Sequence, residues 1–216
     1  MQFPDPRYAP HDIIAIGGDL EPQTLLEAYS KGIFPWPIED YALCWFSPNR
    51  RAVLFFDSLH VSRSLLKARS RTTLEFTIDQ DFEQVVRLCA SAPRPEQHGT
   101  WILPEIEEAY LALHEAGHAH SVEAWEAGRL VGGLYGVDAG GAFSGESMFH
   151  LRPDASKLAL LFLIGHLRSR GLEWLDVQIM TPHMRQLGTR LISRSSYIDL
   201  LEATRELGLV LFGSPE

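Results

Sequence analysis

Residues 119–149 read AHSVEAWEAGRLVGGLYGVDAGGAFSGESMF, and this stretch decides the fold class. Within it, three runs of eight or nine residues separated by turn residues read as strands, and the first of them alternates as a strand does. The runs are Ala119–Glu126, Arg129–Val137 and Ala142–Phe149. Ala127-Gly128 and the segment Asp138–Gly141 lie between the runs and are typical of tight turns. The stretch therefore predicts an antiparallel three-stranded meander.

The segments that follow the meander extend this prediction. Leu158, Leu161, Phe162 and Leu167 give an amphipathic helix over about residues 155–170, which Gly171 ends. A strand is predicted next, over residues 173–178. A meander that leads into a helix and a parallel strand is the plan of the GNAT-like acyltransferase fold. We therefore predict an α+β protein with a mixed sheet, a central antiparallel meander and flanking helices.

The remaining elements come from the same kind of pattern. Before the meander we predict a basic helix over His60–Ser70, a strand over Thr72–Ile78, a helix that Asp79 caps and that runs to about Ala90, and a helix from Pro104 to Gly117. After residue 178 we predict a helix over Pro182–Leu187, a short strand, and a helix over Ser195–Leu207.

The first fifty residues differ in composition, because they are rich in proline and aromatic residues. They contain one clear helix, which starts near Pro22 and ends at Gly32. We predict a small N-terminal α/β domain over residues 1–52 and a GNAT-like domain over residues 53–216.

Composition narrows the class of protein. The 216 residues carry a formal net charge of −9, which argues against a general nucleic-acid binder and restricts RNA contacts to a local basic patch. Cys44 and Cys89 have no pairing or metal-binding pattern. No apolar run is long enough for a membrane span and no secretory signal is visible, so we expect a cytoplasmic protein without contact to membranes.

A basic cluster stands out in this acidic chain. It consists of Arg50, Arg51, Arg63, Lys67, Arg69 and Arg71. The cluster is either a solvated helix face or a stripe that follows RNA phosphates. Trp36, Trp45 and Trp101 could stack on unpaired bases, although each of them could equally belong to the core.

Other chemical motifs are weak. His114-Glu115-Ala116-Gly117-His118 matches a zinc-peptidase pattern that needs one continuous helix, and Gly117 favours a helix end instead. No dinucleotide, Walker or nucleophile-elbow motif occurs. The junction Arg152–Ser156 has no glycine and carries an aspartate, which disfavours a loop that holds the diphosphate of coenzyme A.

Three polar residues interrupt otherwise apolar strands. Glu146 lies near the end of the third meander strand, and Asp176 and Gln178 lie near the end of the next strand. Asp176 and Gln178 are two residues apart and share a side of their strand. Because the two strand ends lie side by side and splay apart in this topology, the residues form either a structural hydrogen-bond network or a polar site at the base of a cleft.

At these residues the sequence resembles the leucyl/phenylalanyl-tRNA–protein transferase family. The resemblance runs from about residue 12 to 202. Its stretches are Gly17–Leu20, Tyr29–Trp36, Trp45–Pro48, Gly99–Ile102, His114–Trp125, Leu130–Gly136, Gly145–Phe149, Ala155–Lys157 and Asp176–Gln178. Val177 stands where the family commonly has cysteine, and Phe46 where it commonly has a second tryptophan.

The resemblance implies a function without metal or cofactor. Such an enzyme moves Leu or Phe, and less well Met, from its tRNA to the N-terminal α-amine of proteins that begin with Arg or Lys, which marks them for the N-degron pathway. Asp176 would orient and polarise Gln178, whose oxygen receives the amine proton, and Glu146 would help to hold the acceptor. The final proton acceptor stays open between water, the ribose hydroxyl and Glu146.

The same resemblance assigns the binding residues. The aminoacyl pocket would be lined by Leu134, Phe143, Met148, Leu160 and Leu175. Trp36 and Trp101 would contact the terminal adenosine of the tRNA, and Arg63, Lys67, Arg69 and Arg71 its acceptor stem. We expect a monomer. The alternatives are a CoA-dependent N-acetyltransferase, a zinc peptidase and a non-catalytic tRNA-binding module.

Overall fold

The computed structural model describes residues 2–37, 42–92 and 102–213. Seven α-helices lie in these ranges: α1 (Pro22–Ser30), α2 (Arg63–Arg71), α3 (Phe82–Ser91), α4 (Pro104–Glu115), α5 (Ala155–Ser169), α6 (Pro182–Gln186) and α7 (Arg194–Glu206). Ten strands accompany them: β1 (Ile13–Ile16), β2 (Phe34–Trp36), β3 (Cys44–Phe46), β4 (Arg50–Phe55), β5 (Glu75–Ile78), β6 (Ala119–Glu126), β7 (Arg129–Asp138), β8 (Phe143–His150), β9 (Trp174–Gln178) and β10 (Arg190–Ser193).

The strands form two sheets. A three-stranded antiparallel sheet has the order β1-β3-β2, and a seven-stranded sheet has the order β10-β4-β9-β8-β7-β6-β5. In the larger sheet only the β8–β9 pair is parallel. The predicted mixed sheet and its antiparallel meander β6-β7-β8 are therefore confirmed.

The turn between β6 and β7 shows why the meander could be predicted. Ala127 and Gly128 both have positive φ angles, of 49° and 73°. Two consecutive positive φ values give the turn a twist that matches the strands it joins. Glycine adopts this conformation without the steric cost of a side chain. The turn thus sets the register of the meander.

A splay between β8 and β9 opens the larger sheet. The two strands share a single pair of facing residues, Ser144 and Asp176, and diverge beyond it. Opposite this point, β7 and β8 shift register between Tyr135 and Gly136. A Cβ atom on Gly136 would lie 2.3 Å from the carbonyl oxygen of Ser144, so only glycine fits the shift. The divergence leaves a cleft whose base is formed by residues 144–148 and 176–178.

Helices cover both faces of the larger sheet. On one face α5 packs against β6, β7 and β8, and on the other face α3 packs against the same strands. The core on the α3 side also takes in Leu25, Phe34 and Trp45 from the first fifty residues. The N-terminal segment therefore shares a hydrophobic core with the rest of the chain. None of the helices in the described ranges has the length and apolar character that crossing a bilayer requires.

Three details differ from the sequence prediction. Asp79 does not cap α3, because Asp81 accepts the hydrogen bond from the backbone N–H of Gln84 at 3.2 Å. Asp79 has a φ of 57° and accepts from Ser121 instead. The strands of the first fifty residues were not predicted individually. Strand β4 begins at Arg50 and lies inside the larger sheet, so the predicted boundary near residue 52 falls within a strand.

Candidate active site

Asp176 lies at the point where β8 and β9 separate, and its side chain is fully buried. Arg51 donates two hydrogen bonds to its carboxylate, at 2.8 and 2.6 Å. Ser144 and Tyr197 donate through their hydroxyl groups, both at 2.8 Å. The backbone N–H of Gln178 donates at 2.9 Å. Since these donors surround the carboxylate, Asp176 serves as a buried anchor for the residues next to it.

Arg51 is a buried partner of Asp176 and not a member of an exposed basic cluster. It was included in the basic cluster, but its side chain is only 1% exposed and cannot contact RNA. Its Nη1 donates to the carbonyl oxygen of Gly32 at 3.1 Å, and its guanidinium lies over the rings of Phe34 and Tyr197. Burial alone would lower the pKa of Arg51, but the charge of Asp176 outweighs it and raises the pKa above its usual value. Arg51 thus joins the segment after α1 to β9.

Gln178 ends β9 in an unusual backbone conformation. Its φ is 59°, in the left-handed region that costs a residue with a side chain about 1–2 kcal/mol. The hydrogen bond from its backbone to Asp176 holds this conformation. Its side-chain Nε2 then donates to Glu146 at 2.6 Å. Asp176 therefore orients Gln178 through the main chain, and the amide oxygen of Gln178 is left as an acceptor beside the cleft.

Glu146 accepts hydrogen bonds from three directions. Besides Gln178, Tyr29 of α1 donates at 2.8 Å and Tyr110 of α4 at 3.0 Å. Burial raises the pKa of Glu146 to about 7, against the opposing effect of the two tyrosine hydrogen bonds, and the charge of Asp176 raises it further. A carboxyl group with this pKa exchanges a proton readily near neutral pH.

The two tyrosines were not predicted as site residues. Their hydroxyl oxygens lie 2.5 Å apart, although the residues are 81 positions apart in the sequence. Burial raises the pKa of both phenols well above the usual value, so both keep their protons at neutral pH. Tyr29 follows Leu25 and Leu26 at helical spacing, so nothing in the local sequence distinguishes it from a core residue.

A cavity of about 380 Å³ opens above these groups. Four of the five predicted pocket residues line it: Leu134, Met148, Leu160 and Leu175. Leu163 and Val177 add to its apolar wall, and Glu146 and Gln178 lie at its polar end. An apolar cavity with a few convergent polar groups is typical of a small-molecule site.

Phe143 does not line the cavity, which corrects the fifth prediction. It is 1% exposed, its ring lies 5.3 Å from the ring of Phe212, and it packs below Gly136. The register shift in β7 turns this side chain into the core.

His183 is a further residue of the cavity wall that the sequence did not indicate. It lies in the first turn of α6, the helix that follows β9 in the chain. Its Nε2 atom is buried and has no hydrogen-bond partner among the described residues. Burial lowers the pKa of His183, so the imidazole is neutral at neutral pH.

The three tryptophans considered for base stacking lie in different surroundings. Trp36 lines the cavity at the end of β2, next to the rings of Phe34 and Phe46. Trp45 is fully buried and donates to the carbonyl oxygen of Gly17 at 2.9 Å, so it belongs to the core. Trp101 lies outside the described residues.

The basic residues predicted to contact the tRNA share one helix, α2, and all four are exposed. They are Arg63, Lys67, Arg69 and Arg71. In the part of the chain that the structure describes, none of their side chains forms an ion pair or a hydrogen bond. Leu65 anchors the helix to the core, which leaves the basic face accessible to solvent.

The zinc-peptidase pattern does not lie on one helix. Helix α4 ends at Glu115, and Gly117 has a φ of 80°. His114 binds the carbonyl oxygen of Ala119 at 2.7 Å and stacks on the ring of Phe82. No group of three possible metal ligands occurs among the residues the structure describes.

Comparison with known proteins gives one consistent result. The model of the leucyl/phenylalanyl-tRNA protein transferase family matches residues 53–202, and the model of its N-terminal domain matches residues 18–49. A leucyl/phenylalanyl-tRNA–protein transferase of Shewanella woodyi is 47% identical over 209 residues, which are 95% of this chain and 88% of the relative. One of Nitratidesulfovibrio vulgaris is 50% identical over 206 residues, which are 94% and 88% of the two chains.

Among solved structures, similarity in sequence is much lower. The structure of L-PGS from Bacillus licheniformis matches with a TM-score of 0.46 and 12% identity, over 74% of this chain and 65% of that chain.

Proposed function

The chain belongs to the leucyl/phenylalanyl-tRNA–protein transferase family and is an aminoacyltransferase, and we propose that it transfers Leu or Phe, and less well Met, to the N-terminal α-amine of proteins that begin with Arg or Lys. Such a transfer would mark the acceptor for the N-degron pathway. The observation that supports the proposal most is the apolar cavity with Glu146 and Gln178 at its polar end.

The cavity is the proposed site of the aminoacyl side chain. Most of its lining side chains are apolar, which favours an apolar amino acid over a polar one. A hydrophobic pocket distinguishes side chains that differ by one methylene by only about 1–3 kcal/mol. Tolerance of Leu, Phe and Met is therefore the expected behaviour.

Gln178 is the proposed partner of the attacking amine. Because its Nε2 is held by Glu146, its oxygen is the free end of the amide and accepts an N–H of the amine. An amide is a very poor base, so Gln178 contributes mainly by orienting the nucleophile. The ester of an aminoacyl-tRNA is activated, and its conversion into an amide needs no further energy source.

The acceptor and the tRNA would approach the cavity with opposite charges. The carboxylate of Glu146 suits the amine of an acceptor that carries a cationic Arg or Lys. Trp36 lines the cavity and is placed to contact the terminal adenosine, with Trp101 as its proposed second partner. The exposed basic residues of α2 would then follow the phosphates of the acceptor stem.

A transfer assay tests the proposal. Labelled Phe-tRNA and Leu-tRNA are offered with three peptides that differ only in an N-terminal Arg, Lys or Ala. We expect label on the Arg and Lys peptides and little on the Ala peptide. Binding of tRNA without transfer to any peptide would indicate a non-catalytic binding module. Acetylation of the peptides from acetyl-CoA would indicate an N-acetyltransferase instead.

A further inference from the structure

Tyr29, Tyr110 and Glu146 form a closed triangle of hydrogen-bonding groups, which we call the Tyr–Tyr–Glu triangle. Its sides are the 2.5 Å contact between the two hydroxyls and the contacts of 2.8 and 3.0 Å from the hydroxyls to the carboxylate. Each phenol has one proton to donate. When Glu146 is ionised, two protons therefore serve three contacts, and one side of the triangle lacks a donor.

One added proton completes the triangle. If Glu146 is protonated, it donates to one tyrosine, that tyrosine donates to the other, and the second tyrosine donates back to Glu146. No heavy atom has to move, because all three sides already have hydrogen-bond length. The triangle is thus a ready-made place for one proton.

The triangle also has room for the substrate. Oε1 of Glu146 accepts from Tyr29 and from Gln178, whereas Oε2 accepts from one donor among the described residues, Tyr110. Because a carboxylate oxygen has two lone pairs, Oε2 can accept one more hydrogen bond. Glu146 lines the same cavity as Gln178, so an amine bound to the amide oxygen of Gln178 lies beside it.

We propose that Glu146 is the general base of the transfer and that Tyr29 and Tyr110 position it. This inference rests on the proposed function. The neutral amine attacks the ester carbonyl, a C–N bond forms, and one proton moves from the nitrogen to Glu146. The ester C–O bond then breaks, and the same proton passes to the ribose oxygen that leaves. Glu146 ends the cycle ionised, and no co-reactant is needed.

The surrounding charges agree with this role. Across from Glu146, β9 contributes Asp176, whose charge raises the pKa of Glu146, and β4 contributes Arg51, whose charge lowers it. Helices α1 and α4 contribute the two tyrosines, which stay neutral. Strand β7 contributes Tyr135, whose ring packs 5.4 Å from that of Tyr110. With burial included, the pKa of Glu146 is about 7, close to the value of about 7.7–8.0 for an α-amine.

The pH profile of kcat/KM for an Arg-starting peptide tests the inference. For the wild-type enzyme, both Glu146 and the amine must lose a proton. We expect the logarithm of kcat/KM to rise with a slope of two below about pH 7, of one up to about pH 8, and then to level off. Glu146→Gln should lose about 10²–10⁴-fold and keep only the slope of one that belongs to the amine. Glu115→Gln, at the exposed end of α4, is the matched control.

The tyrosines give a second measurement. Their hydrogen bonds hold down the pKa of Glu146, so Tyr29→Phe and Tyr110→Phe should move the lower limb of the profile to higher pH. Tyr8→Phe, at an exposed residue, should leave it in place. A wild-type slope of one below pH 7, or a Glu146→Gln profile with unchanged slopes, overturns the inference. Absence of transfer by the wild-type enzyme would instead overturn the proposed function.

Discussion

At the scale of single residues, the site depends on a buried ion pair that does no chemistry itself. Arg51 and Asp176 are each about 1% exposed and are joined by hydrogen bonds of 2.6 and 2.8 Å. Removing one partner of such a pair typically costs about 3–5 kcal/mol, because the other charge is left buried and unpaired. The pair therefore serves to hold Gln178 and the end of α1 in place.

Ionisation of the buried Glu146 destabilises the folded protein, and this gives a prediction about stability. Its pKa rises from 4.5 in the unfolded chain to about 7 in the folded protein. Between these pH values the folded state binds more protons than the unfolded state. The stabilising contribution of Glu146 is therefore fully present below about pH 4.5 and is lost as the pH rises to about 7. Because glutamine does not ionise, Glu146→Gln should not lose stability over this pH range.

The free energy of unfolding in urea measures the effect. Relative to the wild-type protein, Glu146→Gln should gain up to about 3 kcal/mol between pH 5 and pH 8, with no further change above that range. Glu115→Gln should show no such gain. A difference between wild type and Glu146→Gln that does not vary with pH would contradict the raised pKa.

The sequence indicated the members of the candidate site that interrupt an apolar pattern, and it did not indicate those that lack such a signal. Glu146, Asp176 and Gln178 were found because each is a polar residue in a buried strand. Arg51 was assigned to a basic cluster, since its neighbour Arg50 is exposed and only the three-dimensional structure separates the two. Tyr29 and Tyr110 lie on different helices. The helical periodicity predicts that each side chain faces the core, but it does not predict that the two hydroxyl groups meet.

At the scale of elements, the meander and α5 were predicted because their patterns are long and regular. The predicted bounds of β6, β7 and β8 lie within one residue of the observed ones. Strand β4 was not predicted, although it lies inside the larger sheet between β10 and β9. It begins with two arginines and directly follows the turn-like residues Ser47-Pro48-Asn49, so its first half reads as surface. Burial of Arg51 against Asp176 is a tertiary effect that no local pattern contains.

Helix α2 gives a prediction about tRNA binding. Lys67 and Arg71 are four residues apart and exposed on the same face. Lys67→Glu with Arg71→Glu should weaken tRNA binding and make its dependence on salt shallower, by about 0.7–0.9 in the logarithmic slope for each phosphate contact that is lost. Equilibrium binding of tRNA at several salt concentrations measures both effects.

A charge reversal far from α2 is the control for this experiment. Helix α2 packs near the first turns of α5, whereas Arg170 lies at the C-terminal end of α5. Arg170→Glu changes the net charge in the same sense and should leave the salt slope nearly unchanged. An unchanged slope in the α2 variant would place the phosphate contacts elsewhere on the molecule.

At the scale of the whole molecule, the site forms where two parts of the chain share a core. The larger sheet supplies Glu146 and Gln178 at the splay, and the N-terminal segment supplies Tyr29 and Trp36. Arg194 strengthens the junction by donating to the carbonyl oxygens of Pro6, Ala9 and His11. The sequence predicted the two parts and the cleft, but their contact surface depends on side chains that are distant along the chain.

The central claim is that the cavity presents an aminoacyl ester to an amine held by Gln178. The most direct measurement is the initial rate of Phe transfer from Phe-tRNA to an Arg-starting peptide by Gln178→Ala, with tRNA affinity measured in parallel. We predict a rate about 100-fold below wild type with unchanged tRNA affinity, because the amine loses its orientation. Gln84→Ala, at an exposed site on α3, should transfer normally. Transfer by Gln178→Ala at the wild-type rate would contradict the account.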